Sequence, residues 1–214
     1  MDKASLLAIA LTSAVTFTFL SCAPAPSSYE DARARFQQQL AAMPEFQEAR
    51  GQRSAQEAEV LSWQLSRRGL HRLSNEQLLL RATLRSKALK AASTATCAAI
   101  VRDKPTEAQM QDAFGKLDDK DTAAFFSLFA EAIRAELQHQ PPPTVVSEAD
   151  FPTAFGALLG AVPQDQAERL AALLSRGPTQ TSDEEVCWAE RTFLTALLSL
   201  SEPYRGMLAR AVVQ

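Results

Sequence analysis

The stretch SNEQLLLRATLRSKALKAASTATCAAIVR, residues 74–102, decides the fold class. Ser74 is followed three residues later by Gln77, the spacing of a capping box at a helix start. Behind it, Leu80, Leu84, Ala88, Ala91, Ala95, Ala98 and Val101 step by three and four. That period predicts one long helix over about residues 75–102 with a single apolar stripe. The stripe turns from Leu to Ala in its second half, so a neighbouring helix is expected to approach closely there.

The same grammar recurs on either side. Tyr29 to Met43 has Phe36, Leu40 and Met43 at helical spacing and is interrupted by Pro44. Ser54 with Glu57 opens a helix whose inward face is expected to be Val60, Leu61, Trp63 and Leu65, with Gly69 as its C-cap. Thr106 to Lys116 reads as a short helix with Met110, Phe114 and Leu117 inward. Asp118, Asp119 and Asp121 suit the start of the next, about residues 122–138, with Phe125, Leu128, Phe129, Ala132 and Ile133 on its core face. Phe126 falls to the side and is expected to be exposed. Ser182 with Glu185 is a third capping box, and its helix carries Cys187, Trp188, Phe193 and Leu197. Glu202-Pro203 opens the last helix, with Leu208, Ala211 and Val212 expected inward.

Glycine is scarce at seven residues, and no window alternates apolar with polar, so no strand is expected. The expected fold is all-α: an irregular multi-helix bundle of about eight helices, either one body or two helical subdomains. Gln140-Pro-Pro-Pro-Thr144 cannot be helical and is the candidate boundary. It separates an N-terminal helical part, 29–139, from a C-terminal part, 147–214, through a Pro-rich connection at 140–146. The C-terminal part has fewer than about seventy residues, where a core alone is marginal, so it is expected to pack on the first.

The first residues carry an address. After a short polar start, Leu6 to Leu20 is apolar apart from Ser and Thr, the length of a signal-peptide core rather than a membrane span. Ordinary signal-peptidase cuts are poor: Pro24 or Pro26 would follow the cut, or Phe19 would stand three positions before it. Phe19-Leu20-Ser21-Cys22 resembles the lipobox of bacterial lipoproteins, although Phe19 departs from the usual Leu and Leu20 is larger than usual. The resemblance implies a signal peptide at 1–21, a lipid on Cys22 and a membrane anchor. With Ala23 rather than Asp after the cysteine, it implies the periplasmic face of the outer membrane. Residues 22–28 then form a short Pro-containing tether. The competing reading is an uncleaved anchor or a poorly cut secretory signal.

Setting Cys22 aside leaves Cys97 and Cys187. An even pair in an exported chain predicts a disulfide, which would close a loop of about ninety residues.

Charge is unevenly placed. Residues 1–104 hold fourteen basic and nine acidic side chains, and residues 105–214 hold eight and sixteen. With a sequence pI near 5.5, nucleic acid is not an expected partner. Between Glu76 and Asp103 no acid occurs, while Arg81, Arg85, Lys87 and Lys90 do. They form a candidate anion or partner face, or simply a solvated one.

Nucleotide-binding glycine loops, a Gly-x-Ser-x-Gly elbow and a His-Glu-x-x-His zinc motif are missing. His71 and His139 stand far apart without ligand-spaced partners. No cofactor and no metal are expected, and no catalytic residue is nominated. The favoured expectation is a membrane-anchored periplasmic lipoprotein that binds another envelope protein as an accessory or assembly factor. The alternative is a periplasmic inhibitor or immunity-type protein, and the third is a cell-wall enzyme.

Overall fold

Six of the helices open on a side-chain cap, at Ser54, Ser74, Ser93, Thr106, Asp118 and Ser182. The computed structural model describes residues 28–143, 147 and 149–213, so the signal peptide and the Cys22 lipid site lie outside the described residues. Among the described residues there are eleven α-helices, one 3-10 turn and no strand. They are α1 (Ser28–Ala41), α2 (Pro44–Arg50), α3 (Ala55–Gly69), α4 (Asn75–Ala91), α5 (Thr94–Val101), α6 (Glu107–Phe114), α7 (Asp119–Leu137), α8 (Phe151–Gly160), α9 (Gln164–Arg176), α10 (Asp183–Ser199) and α11 (Tyr204–Ala211), with the 3-10 turn at Leu70–Arg72. The all-α class holds, but about eight helices was too few. Ser28, assigned to the tether, already belongs to α1.

Two features account for much of the difference. Pro44 does not merely interrupt; it occupies the first turn of α2, where its missing N–H costs nothing. The long helix over 75–102 is two helices. Ala92 and Ser93 are extended, and the Ser93 hydroxyl accepts from the Thr96 N–H to cap α5. The freed carbonyls at the end of α4 find donors from elsewhere. Arg191 of α10 donates to Leu89 O at 2.9 Å and to Ala92 O at 2.8 Å, and Lys116 Nζ donates to Ala91 O at 3.0 Å. Capping boxes close as expected at Ser54, Ser74 and Ser182, and a further one forms at Thr106 with Gln109.

α7 lies between α1 and α3. Both of its sides are therefore covered, and Phe126, expected exposed, is 6% exposed against Tyr29 and Phe36 of α1. On α3 Leu65 turns inward as expected, but the rest of the buried face is Ala58, Ser62, Ser66 and Gly69 rather than Val60 and Trp63. Ser62 and Ser66 satisfy their hydroxyls on their own helix, on Glu59 O and Trp63 O. Gly69 has an ordinary helical φ of −79° and is no left-handed cap. Its role is contact: a Cβ there would stand 1.9 Å from Ala132 O of α7.

With small residues turned to α7, Val60 is 51% exposed, and Trp63 is only half-buried. Leu80, at 41%, and Val212, at 53%, are likewise outside the core faces expected for them. Each lies where no neighbouring helix covers the position.

One hydrophobic cluster gathers residues from both sides of the proline segment, from Tyr29 through Leu89 and Phe125 to Leu197 and Leu208. α10 packs on α4 and α5, and α11 on α4 and α8. Polar ties cross the same junction. Arg210, 1% exposed, donates to Asn75 Oδ1, His71 O and Leu73 O. Arg102 donates to Pro178 O and Thr181 O and pairs with Asp183. Cys97 and Cys187 are buried with their sulfur atoms at bonding distance and their Cα atoms 5.6 Å apart. No helix among the described residues is long and apolar enough to cross a membrane.

Candidate functional site

The four cations of α4 stand in different surroundings. Lys87 pairs with Asp121 at the start of α7, and that contact raises its pKa. Lys90 points to solvent. Arg85 Nε bonds Glu190 Oε1 of α10 at 2.6 Å, with both side chains about one-fifth exposed. Only Arg81 and Arg85 are brought together, in the wall of a cleft of about 660 Å³ between α3, the middle of α4 and the α5–α6 connection.

The cleft follows from how α3 is laid down. Its small residues face α7, so Trp63 turns sideways and becomes a wall. Phe125 and Phe129, one helical turn apart on α7, supply the floor together with Phe114 of α6. The rings interlock. Trp63 meets Phe129 edge-on at 4.9 Å, Phe125 meets Phe129 at 4.6 Å, and Phe114 stacks on Phe125 at 4.0 Å. Leu70, Ile100 and Met110 complete the apolar lining. Asp103, with a φ of 61° in the turn after α5, stands at the rim.

The charges at the rim are almost all matched. Arg33 bridges Glu59 and Glu107 at 2.7 and 3.0 Å, and Arg67 pairs with Asp103. Burial alone would lower the Arg33 pKa, but the two carboxylates outweigh it and the pKa is raised. Arg81 is the exception. It is half-buried in the wall, and no hydrogen bond or ion pair engages its guanidinium among the described residues. Burial pushes its pKa down to about 10, the Arg85 guanidinium adds to this, and Glu190 and Asp103 offset it in part. Chemically, the arrangement offers an aromatic trough with one cation at its side that has no directly bonded partner.

The sequence nominated Arg81 and Arg85 but missed the trough. Trp63, Phe125 and Phe129 read as core on helical spacing alone. The signal that could have found it is the run Ala58, Ser62, Ser66, Gly69 on α3: small residues at close-packing spacing displace the large ones to the flanks. Among the described residues no three of His, Cys, Asp and Glu gather to hold a metal ion. No family model matches the chain, and neither a curated protein nor a solved structure matches it.

Proposed function

We propose that this chain is a bacterial lipoprotein, anchored through Cys22 at the periplasmic face of the outer membrane, that works as a protein-binding accessory or assembly factor of the envelope. The observation that supports binding through α3 is its outer face. Val60 projects, about half exposed, at the edge of the cleft. A second hollow, lined by Phe36, Leu40, Phe46 and Ala58, flanks the other side of the helix. A helical ridge between two hollows is a shape that a partner can straddle, with apolar anchors on each side.

An inhibitor of the acidic-mimic kind is less well supported. Asp183 and Glu190 are engaged by Arg102 and Arg85, and Glu185 by the Ser182 cap. Two of the acids such a mimic would present, Asp183 and Glu190, are thus held by arginines of the same molecule.

The test is a photo-crosslinking residue at Gln64, on the ridge, in cells. A discrete adduct with one envelope protein, lost on Val60→Glu, is expected. Labelling no stronger than from exposed Gln180 would overturn the reading. For the anchor, Cys22→Ala should leave the protein unprocessed or release it from membranes. Processing and membrane association like the parent would reject the lipid site.

A further inference from the structure

We infer that the cleft beside α3 is a binding site for a small amphiphile: an apolar chain or ring system bearing one carboxylate, which pairs with Arg81. This goes beyond the protein-binding role and does not depend on it. Three observations carry it. The volume, about 660 Å³, lies within the roughly 300–1,000 Å³ range of small-ligand sites. The lining is aromatic and aliphatic, with Trp63, Phe125 and Phe129 able to cover an apolar body. And Arg81 stands unpaired where every neighbouring charge at the rim has a partner.

The charge balance selects the head group. Placing a guanidinium in an apolar wall without a directly bonded counter-ion is unfavourable, and an incoming anion relieves that. Asp103 and Glu190 already act electrostatically on Arg81, and they would repel a second negative charge. A monoanionic carboxylate fits this field better than a phosphate dianion, and its two oxygens match the planar guanidinium fork.

The walls select the body. They are mainly helices whose backbone groups are bonded within the helix, so they offer no ladder to an extended peptide. Such a peptide would bring an N–H and a C=O with every residue and leave most of them without partners. A hydrocarbon body brings none.

The experiment uses the full chain in lipid nanodiscs, with Trp188→Phe so that emission reports Trp63 alone. Octanoate and its neutral isostere octanamide are titrated against empty nanodiscs as background. Octanoate is expected to bind at least about tenfold more tightly than octanamide, the usual scale of one charge-assisted contact. Arg81→Met should erase the difference while octanamide binding stays within about twofold, and Arg81→Lys should retain part of the preference, which separates loss of charge from loss of fold. Equal binding of the two probes, binding of neither, or a preference that survives Arg81→Met would each overturn the inference. So would tighter binding of the tripeptide Ala-Leu-Phe than of octanoate, which would assign the cleft to a protein terminus.

Discussion

The two sides of α4 are packed by different means. Toward residues 28–137 the neighbours are aromatic: Tyr29, Phe36, Trp63, Phe114, Phe125, Phe126 and Phe129 form a chain of ring contacts. Toward residues 151–211 they are mostly aliphatic, led by Leu158, Leu170, Leu194, Leu197 and Leu208, and the junction is closed by arginines that donate across it. The aromatic side keeps an open cleft, whereas the aliphatic side carries the arginine-to-carbonyl fastening. Rings are large and rigid. Where α3 and α7 come close through Ala, Ser and Gly, the rings must stand beside the contact, and the space between them stays open. Leucines adapt to an interface and fill it.

The contrast breaks most severely at the closest approach. Gly69→Val would drive a branched side chain into the Ala132 carbonyl. The expected loss is more than about 4 kcal/mol, read as a collapse of the urea midpoint. A midpoint shifted by less than about 1 kcal/mol would mean that α3 and α7 are not held this close.

On the other side, removing the Cys97–Cys187 link by a double Ala substitution should cost about 2–4 kcal/mol. Peptide mapping without reductant should recover the linked pair from the exported protein. Alkylation of both thiols would contradict the bond. Because this tie and the shared cluster span the proline segment, the whole chain is expected to melt in a single calorimetric transition. Two resolved transitions would divide the molecule at residues 140–146.

Arg210→Met tests the polar fastening alone. The carbonyls of His71 and Leu73 would each lose a buried donor, so a loss of about 2–3 kcal/mol is expected in urea titration. An unchanged midpoint would show that the leucines suffice.

The smallest effect is in acid. Ser54 and Ser182 hold Glu57 and Glu185, through backbone and then hydroxyl hydrogen bonds, below their usual carboxylate pKa of 4.5. A folded pKa below the unfolded one gives stability that is present above about pH 4.5 and is lost as pH falls through the folded value. Glu57→Gln and Glu185→Gln should leave neutral stability nearly unchanged, since Gln already serves in the boxes at Ser74 and Thr106. They should also flatten the decline in urea midpoint between about pH 5 and 3. A parallel decline in parent and variants would remove these boxes from the acid response.

Local chemistry was legible because it is written within a few residues. The boxes at Ser54, Ser74 and Ser182, the inward Met110, Phe114 and Leu117, and the pairing of Cys97 with Cys187 all follow from spacing or count. What stayed hidden depends on residues far away in the chain. The break at Ala92 is satisfied by Arg191, about a hundred residues on. The burial of Phe126 depends on α1, and the outward turn of Val60 depends on how closely α7 approaches. The cleft combines all of these, so the small-residue run on α3 is only a local hint of it.

The arginine ties have a consequence for how this sequence can drift. Arg191, Arg102 and Arg210 bond largely to main-chain carbonyls, at Leu89, Ala92, Pro178, Thr181, His71 and Leu73. A carbonyl is present whatever side chain its residue bears. The receiving positions are therefore free to vary as long as their local backbone path is kept, while each donor has no substitute of equal reach and fork. The junction makes lopsided demands on heredity: its donors are three side chains that codons must specify, and their acceptors are supplied by the peptide chain itself.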